Sequence, residues 1–206
     1  MAAQEARRLQ SDHGSLPLSD ATKAVSRITL GRVDFQKHLL IDGSNILHAW
    51  PELSGLLKRD RNAARSRLSQ AASAIHDVER IRLSLIFDGR GEDLIVEQPS
   101  GQATFVHFYT PSGTTADDVI EQLVAQSAAP ENCIVATDDR AERQTIEALG
   151  AIGMSAADLA AWVGRASRRQ QSNLAELKRL NEKEWKAPKS RSGSPPPPID
   201  HGGNRG

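Results

Sequence analysis

The sequence predicts an α/β fold of three layers, with a mostly parallel central sheet flanked by helices. Apolar runs of strand length recur at 38–42 (HLLID), 82–88 (RLSLIFD), 104–110 (TFVHFYT) and 132–137 (NCIVAT), and a short fifth stands at 151–154 (AIGM). They are rich in Ile, Leu and Val without polar alternation, which suits strands covered on both faces. Helical patterns fill most of the gaps, at about 60–79, 114–128, 139–148 and 155–164. Strands alternating with helices imply parallel pairing and helices on both faces.

The flanking segments read differently. Residues 1–35 are weakly patterned, an arm with little structure of its own, so the folded domain is expected over 36–164. Residues 165–187 (RASRRQQSNLAELKRLNEKEWKA) are polar and rich in helix formers, with Leu174, Leu177 and Leu180 spaced for one narrow stripe. Residues 188–206 are Pro/Gly/Ser-rich, too poor in apolar side chains to offset their ordering entropy, and are expected to be disordered.

The neutral total of 26 basic and 26 acidic residues conceals an asymmetry. Residues 35–164 hold 11 Lys/Arg against 18 Asp/Glu, a net of −7, whereas residues 165–206 hold 10 against 4, a net of +6. A single cysteine, Cys133, forbids an internal disulfide and fits a reducing compartment. No apolar segment approaches the ~18–20 residues needed to span a bilayer, and the N-terminus has no apolar core behind its arginines. A cytoplasmic protein with no membrane partner is the expectation; nothing in the sequence fixes its oligomeric state.

In open parallel sheets, sites form at the carboxyl ends of the strands. The first strand here ends in Asp42, with Asn45 three residues on, and the second ends in Asp88. The third runs through Pro111-Ser112-Gly113 into a helix carrying Asp117, Asp118 and Glu121; the fourth ends in Asp138-Asp139. Each acid has an ordinary explanation, because Asp caps helices and Asp-Gly makes turns. The conjunction at four strand ends is harder to explain that way. Carboxylates gathered within a few ångströms raise one another's pKa unless a cation neutralises them. A hard divalent ion, Mg²⁺ or Mn²⁺, suits such oxygen donors. On the third helix, Asp117 and Glu121 share a face at i, i+4, and Thr114 and Thr115 are natural caps. The sequence leaves open whether Asp117 or Asp118, and whether Asp138 or Asp139, faces the cleft.

The stretches LLIDGSNIL, LIFDGRG, FYTPSGTTADDVIEQL and IVATDDRAERQTIEALGAIGMSAADLAAWV resemble the YacP-like branch of the NYN ribonucleases, relatives of the PIN-domain nucleases. The resemblance covers about 36–164 and implies a PIN-like fold and a metal-dependent endoribonuclease. It matches Asp42 and Asn45 to the first motif, Asp88 to the second strand's acid, Asp117 and Glu121 to T-A-D-x-x-I-E, and Asp139 to T-x-D. Asp42, Asp117 and Asp139 would then hold one or two ions, with Asn45 orienting a carboxylate or water and Asp88 and Glu121 supporting a second ion or a water. Ser44 departs from the Tyr common at that place in the branch, which bears on substrate preference more than on chemistry.

An acidic rim repels phosphate, so cations are expected beside it. Arg61 and Arg65 share a helix face, and Arg90 and Arg140 each follow a strand-end acid. Their planar forks suit phosphate, so these four are the candidate RNA contacts. The basic tail suits salt-dependent contact with RNA or the ribosome, which would place the activity in mRNA decay or processing. Trp50 could stack on a base or serve the core; His107, inside a strand, reads as structural. Two other strand-end motifs fail on Ile46, which stands where an adhesion-type metal site needs a second hydroxyl, and on the missing second acid of a haloacid-dehalogenase phosphatase. The serious rival is a catalytically silent RNA-binding or scaffold protein on the same fold.

Overall fold

The computed structural model describes residues 37–186. The arm at 1–35 and the tail at 188–206 lie outside the described residues. In chain order the elements are β1 (His38–Asp42), α1 (Gly43–Ala49), α2 (Pro51–Leu57), α3 (Arg61–Glu79), β2 (Arg82–Gly91), β3 (Ile95–Glu97) and β4 (Phe105–Pro111). There follow α4 (Ala116–Ala125), a 3-10 turn (Pro130–Asn132), β5 (Cys133–Ala136), α5 (Arg140–Ala148), β6 (Ile152–Met154) and α6 (Ala156–Lys186). The six strands form one sheet in the order β3-β4-β2-β1-β5-β6. All pairings are parallel except that of β3 with β4.

Two apolar clusters pack on opposite faces of the sheet, which makes the three layers. Leu39 and Ile41 of β1 belong to the cluster that takes in Leu53, Leu68 and Ile75 of α2 and α3 and Leu159 of α6. Leu40, between them in sequence, points the other way into Val119 and Ile120 of α4 and Ile146 of α5. Alternation along a strand accounts for the division. Within α3 the buried positions Ala64, Leu68, Ala72 and Ile75 recur at helical spacing. Leu68 alone, fully buried, contributes about 1.5–3 kcal/mol relative to exposure. Asp60 caps the start of α3 by accepting the Ala63 amide, and Arg80 ends it in the left-handed region with φ 52°.

Three elements had no counterpart in the apolar runs. The helices α1 and α2 start without a loop: Asp42 caps α1, and Pro51 sits at the first turn of α2, where its missing N–H is harmless. Asp42-Gly43 is therefore a strand-to-helix junction and not a turn. Glycine is required at 43 for space, since a Cβ there would lie 2.3 Å from the Phe87 ring and 2.8 Å from the Ile86 carbonyl oxygen. The strand β3 is three residues long and pairs antiparallel at the sheet edge, too short for an alternation to show. The helical patterns at 155–164 and 165–187 run on as one helix, α6.

The chain divides into two compact units between Gln171 and Ser172. The first contains the sheet and everything said below of a site. In the second, Leu174, Leu177 and Leu180 are about half exposed. No helix among the described residues is long and apolar enough to cross a membrane.

Candidate active site

The chain moves outward from β1 through β2 to β4, then returns across the sheet to β5 on β1's other side. The carboxyl ends of β1 and β5 thus flank a switch point, where parallel sheets open a crevice. Asp42 ends β1 on the side of Leu40, the face covered by α4 and α5. The first turns of those helices carry Asp117 and Glu142. One carboxylate oxygen from each of Asp42, Asp117 and Glu142 lies within 4.8 Å of the other two.

These three acids are short of donors. Asp42 is 4% exposed and Glu142 2%. The Asn45 amide donates to Asp42 Oδ1 at 3.0 Å. Neither oxygen of Glu142 has a hydrogen-bond partner of good geometry among the described residues. Burial, opposed in part by the Asn45 amide and reinforced by Asp117 and Asp88, pushes Asp42 up to about 7. Burial likewise lifts Glu142 to about 8, with the nearby Thr137 hydroxyl offsetting a part and Asp42, Asp117 and Asp139 adding to it. Asp117 is raised by burial and then by Asp139. Three carboxylates this close, each with its charged form disfavoured, could hold a cation.

The other rim acids are engaged in structure. Asp88 Oδ1 accepts the Ala116 amide at 2.9 Å, which fixes the start of α4 to the end of β2. Asp118 forms a capping box with Thr115, leaving Asp117 to face the crevice. Asp138 Oδ1 accepts the Ala156 amide at 2.9 Å and lies 3.7 Å from the Arg143 guanidinium. Asp139 caps α5, its Oδ1 accepting from Ala141 and Glu142 at 2.7 and 3.2 Å. Asp139 is thus beside the cluster through its charge, while the third oxygen of the group comes from Glu142. Glu121, half-buried and one turn beyond Asp117, also raises Asp117 but stands outside the group. Asn45 is a clasp: its amide bonds Asp42 and its Oδ1 accepts the Asp138 amide at 3.0 Å, tying the end of β1 to the end of β5.

Glu142 escaped the sequence because Asp139-x-x-Glu142 reads as a capping box. The reciprocal bond is not made; the Asp139 amide donates instead to Thr137 Oγ1 at 3.1 Å. One signal was present. Glu142 and Ile146 are four apart and both buried, so a glutamate occupies the apolar stripe of α5.

Cations line the neighbouring surface. Arg61, Arg65 and Arg90 surround a hollow of about 280 Å³ whose remaining lining is Asp88 and Gly89. Arg65 Nη2 donates to the Asp88 carbonyl at 2.7 Å, and its guanidinium lies 5.2 and 5.0 Å over the rings of Phe87 and Tyr109. Arg140 is exposed at the first turn of α5, beside Asp139 and apart from that hollow. Ser44 Oγ accepts the Asp88 amide at 3.0 Å, so the residue in the tyrosine's place secures the end of β2. Trp50 donates its Nε1–H to the Ala156 carbonyl at 2.9 Å and packs on the core. His107 is buried against Ser69 at 2.9 Å, and burial lowers it to about 4.

A mostly parallel sheet with carboxylates at its switch point and arginines beside them defines a nuclease-like α/β domain of the NYN type. The YacP-like NYN domain model matches residues 39–192, and the chain belongs to that family. YacP of Bacillus subtilis strain 168 is 29% identical over 140 residues, 68% of this chain and 82% of YacP. The crystal structure of Rae1 (YacP) from Bacillus subtilis superposes with a TM-score of 0.60 at 27% identity, over 72% of this chain and 85% of that one. A mutant of the same protein gives 0.58 at 27% identity, over 71% and 89%.

Proposed function

We propose that this chain is a metal-dependent endoribonuclease that hydrolyses RNA phosphodiester bonds at the crevice between β1 and β5. The observation that carries this reading is Glu142, a buried carboxylate with no hydrogen bond of good geometry among the described residues, close to two more acids. Its oxygens, with those of Asp42 and Asp117, form an all-carboxylate donor set, which fits Mg²⁺ or Mn²⁺ better than softer ions. Such an ion, when bound, would polarise a phosphate oxygen and supply hydroxide near neutral pH.

The chain's own residues do the rest. Asn45 holds Asp42 in place and keeps the two strand ends together, a positioning task. Asp88, Glu121 and Asp139 surround the three ligands with further negative charge, which deepens the demand for a cation. Arg61, Arg65 and Arg90 would take phosphates next to the scissile bond, and Arg140 would do so on the α5 side. The basic segment after residue 164 would add salt-dependent attraction to RNA or the ribosome, in a role in mRNA decay or processing.

The test is cleavage of a labelled unpaired RNA with Mg²⁺ or Mn²⁺, wild type beside Asp117→Asn and Glu142→Gln. Cutting that needs the metal and is lost in both variants is the expected result. No cutting by the wild type, with RNA still bound, would identify a silent RNA-binding protein.

A further inference from the structure

A second concavity opens on the α3 side of the same arginines. It measures about 760 Å³, lies between α3 and the β3–β4 edge, and shares Arg65 with the hollow beside Asp88. This volume is within the ~300–1,000 Å³ typical of ligand sites. The nuclease reading makes no use of it.

Its two walls differ in chemistry. Asn62, Ser66, Ser69, Gln70 and Ser73 follow one another at three- and four-residue steps on α3 and line one wall with amide and hydroxyl groups. The opposite side carries Ile95, Glu97, Pro99 and Ser100, and the floor is aromatic, with Tyr109 half-buried and Phe105 and His107 only 4% and 6% exposed. Phe105, His107 and Tyr109 alternate along β4 and so share a face. Their ring centroids are 5.4 and 6.5 Å apart in sequence, and Phe87 continues the row 5.6 Å from Tyr109. The row leads toward the carboxyl end of the sheet, where Arg65 covers its last two rings. Arg65 is anchored through Nη2, while its buried Nε has no partner among the described residues. A planar cation beside a half-buried tyrosine, with a polar ladder along one wall, is the combination that holds unpaired bases.

We propose that this groove binds the bases of single-stranded RNA adjoining the phosphate held by Arg61, Arg65 and Arg90. A base stacks against the Arg65 guanidinium beside the half-buried Tyr109, and base edges meet Asn62, Ser66 and Gln70. A duplex does not fit this role, since its base edges are not splayed out into a concave slot. The inference rests on the nuclease reading for the direction of the strand's approach, and its test separates the two.

The measurement uses the full chain carrying Asp117→Asn, with a fluorescein-labelled RNA dodecamer at one fixed salt concentration. Asn62→Ala with Gln70→Ala, both at exposed positions of α3, is expected to weaken binding about tenfold, the size of one lost base contact. Thiouridine in the same RNA is expected to crosslink to residues of α3 or β4 within the groove. Unchanged affinity together with crosslinks elsewhere overturns the groove, as does equal competition by a duplex of the same sequence. A wild type that cuts RNA while the double variant binds normally sinks the groove alone. Groove-dependent binding by a wild type that cuts nothing supports the groove and sinks the nuclease.

Discussion

Two sets of carboxylates share one rim and have opposite fates. Asp88, Asp138 and Asp139 are exposed and each accepts a backbone amide at a helix start, so water and the fold together solvate their charge. Asp42 and Glu142 are buried and Asp117 is half-buried; burial outweighs the few donors near them, and all three are raised in pKa. Both sets look alike as residues after strands. Burial next to other acids, and not the mere presence of acid, separates the two sets.

The largest effect expected from this contrast is on cleavage. Glu142→Gln or Asp117→Asn should lower the metal-dependent rate at least ~100-fold in a gel assay, since each removes a ligand, while Asp138→Asn should leave it within a few-fold. Equal losses from all three would erase the distinction. The next effect is on stability and its pH dependence. Glu142 titrates near its ordinary 4.5 when unfolded and near 8 when folded. The folded state therefore binds the extra proton, and the stability this contributes is complete below about pH 4.5 and lost as pH rises through 8. Glu142→Gln should stabilise the metal-free protein at pH 8 by on the order of 2 kcal/mol and hardly at pH 4.5, measured by urea denaturation. Mn²⁺ should raise the melting temperature of the wild type more at pH 8 than at pH 6 and leave Glu142→Gln almost unmoved; a response that ignores pH would argue against these ligands. The third is the cap itself: Asp138→Ala should cost about 1 kcal/mol through the amide of Ala156, with metal affinity preserved. The smallest is Arg61→Ala, which should weaken RNA binding a few-fold and flatten its salt dependence by about one counterion, visible in an anisotropy titration.

How far the sequence reached follows the same division. The strands β1, β2, β4 and β5 and the helices α3, α4 and α5 were legible because burial on both faces, or on one stripe, writes itself as apolar runs and helical spacing. Asp42 and Asp117 stood out as candidates from position, but the choice between Asp117 and Asp118 stayed open until the capping box engaged Asp118. The helices α1 and α2 were not, since no loop sets them apart from β1 and seven residues show little periodicity. Glu142 was hidden by its place three residues after a cap, a spacing that fits an ordinary helix start until the donors are counted. The sheet order was also out of reach, because no local pattern says on which side of β1 the returning strand will lie.

The Asn45 clasp has a consequence for when the carboxylates meet. It joins residues 93 apart in sequence, and Trp50 reaches Ala156 across 106. Four of the six strands, β1 to β4, come from the chain before residue 112 and lie side by side without β5 or β6. Contacts of such long separation are slow to close, and φ-values near zero at Glu142 and Asn45 are expected if the acids meet after most of the sheet has formed. Mutual repulsion that appears so late is absent from the folding barrier and felt chiefly by the unfolding rate. An ion held there should act as a latch: the protein folds no faster with it, but once closed it opens far less often.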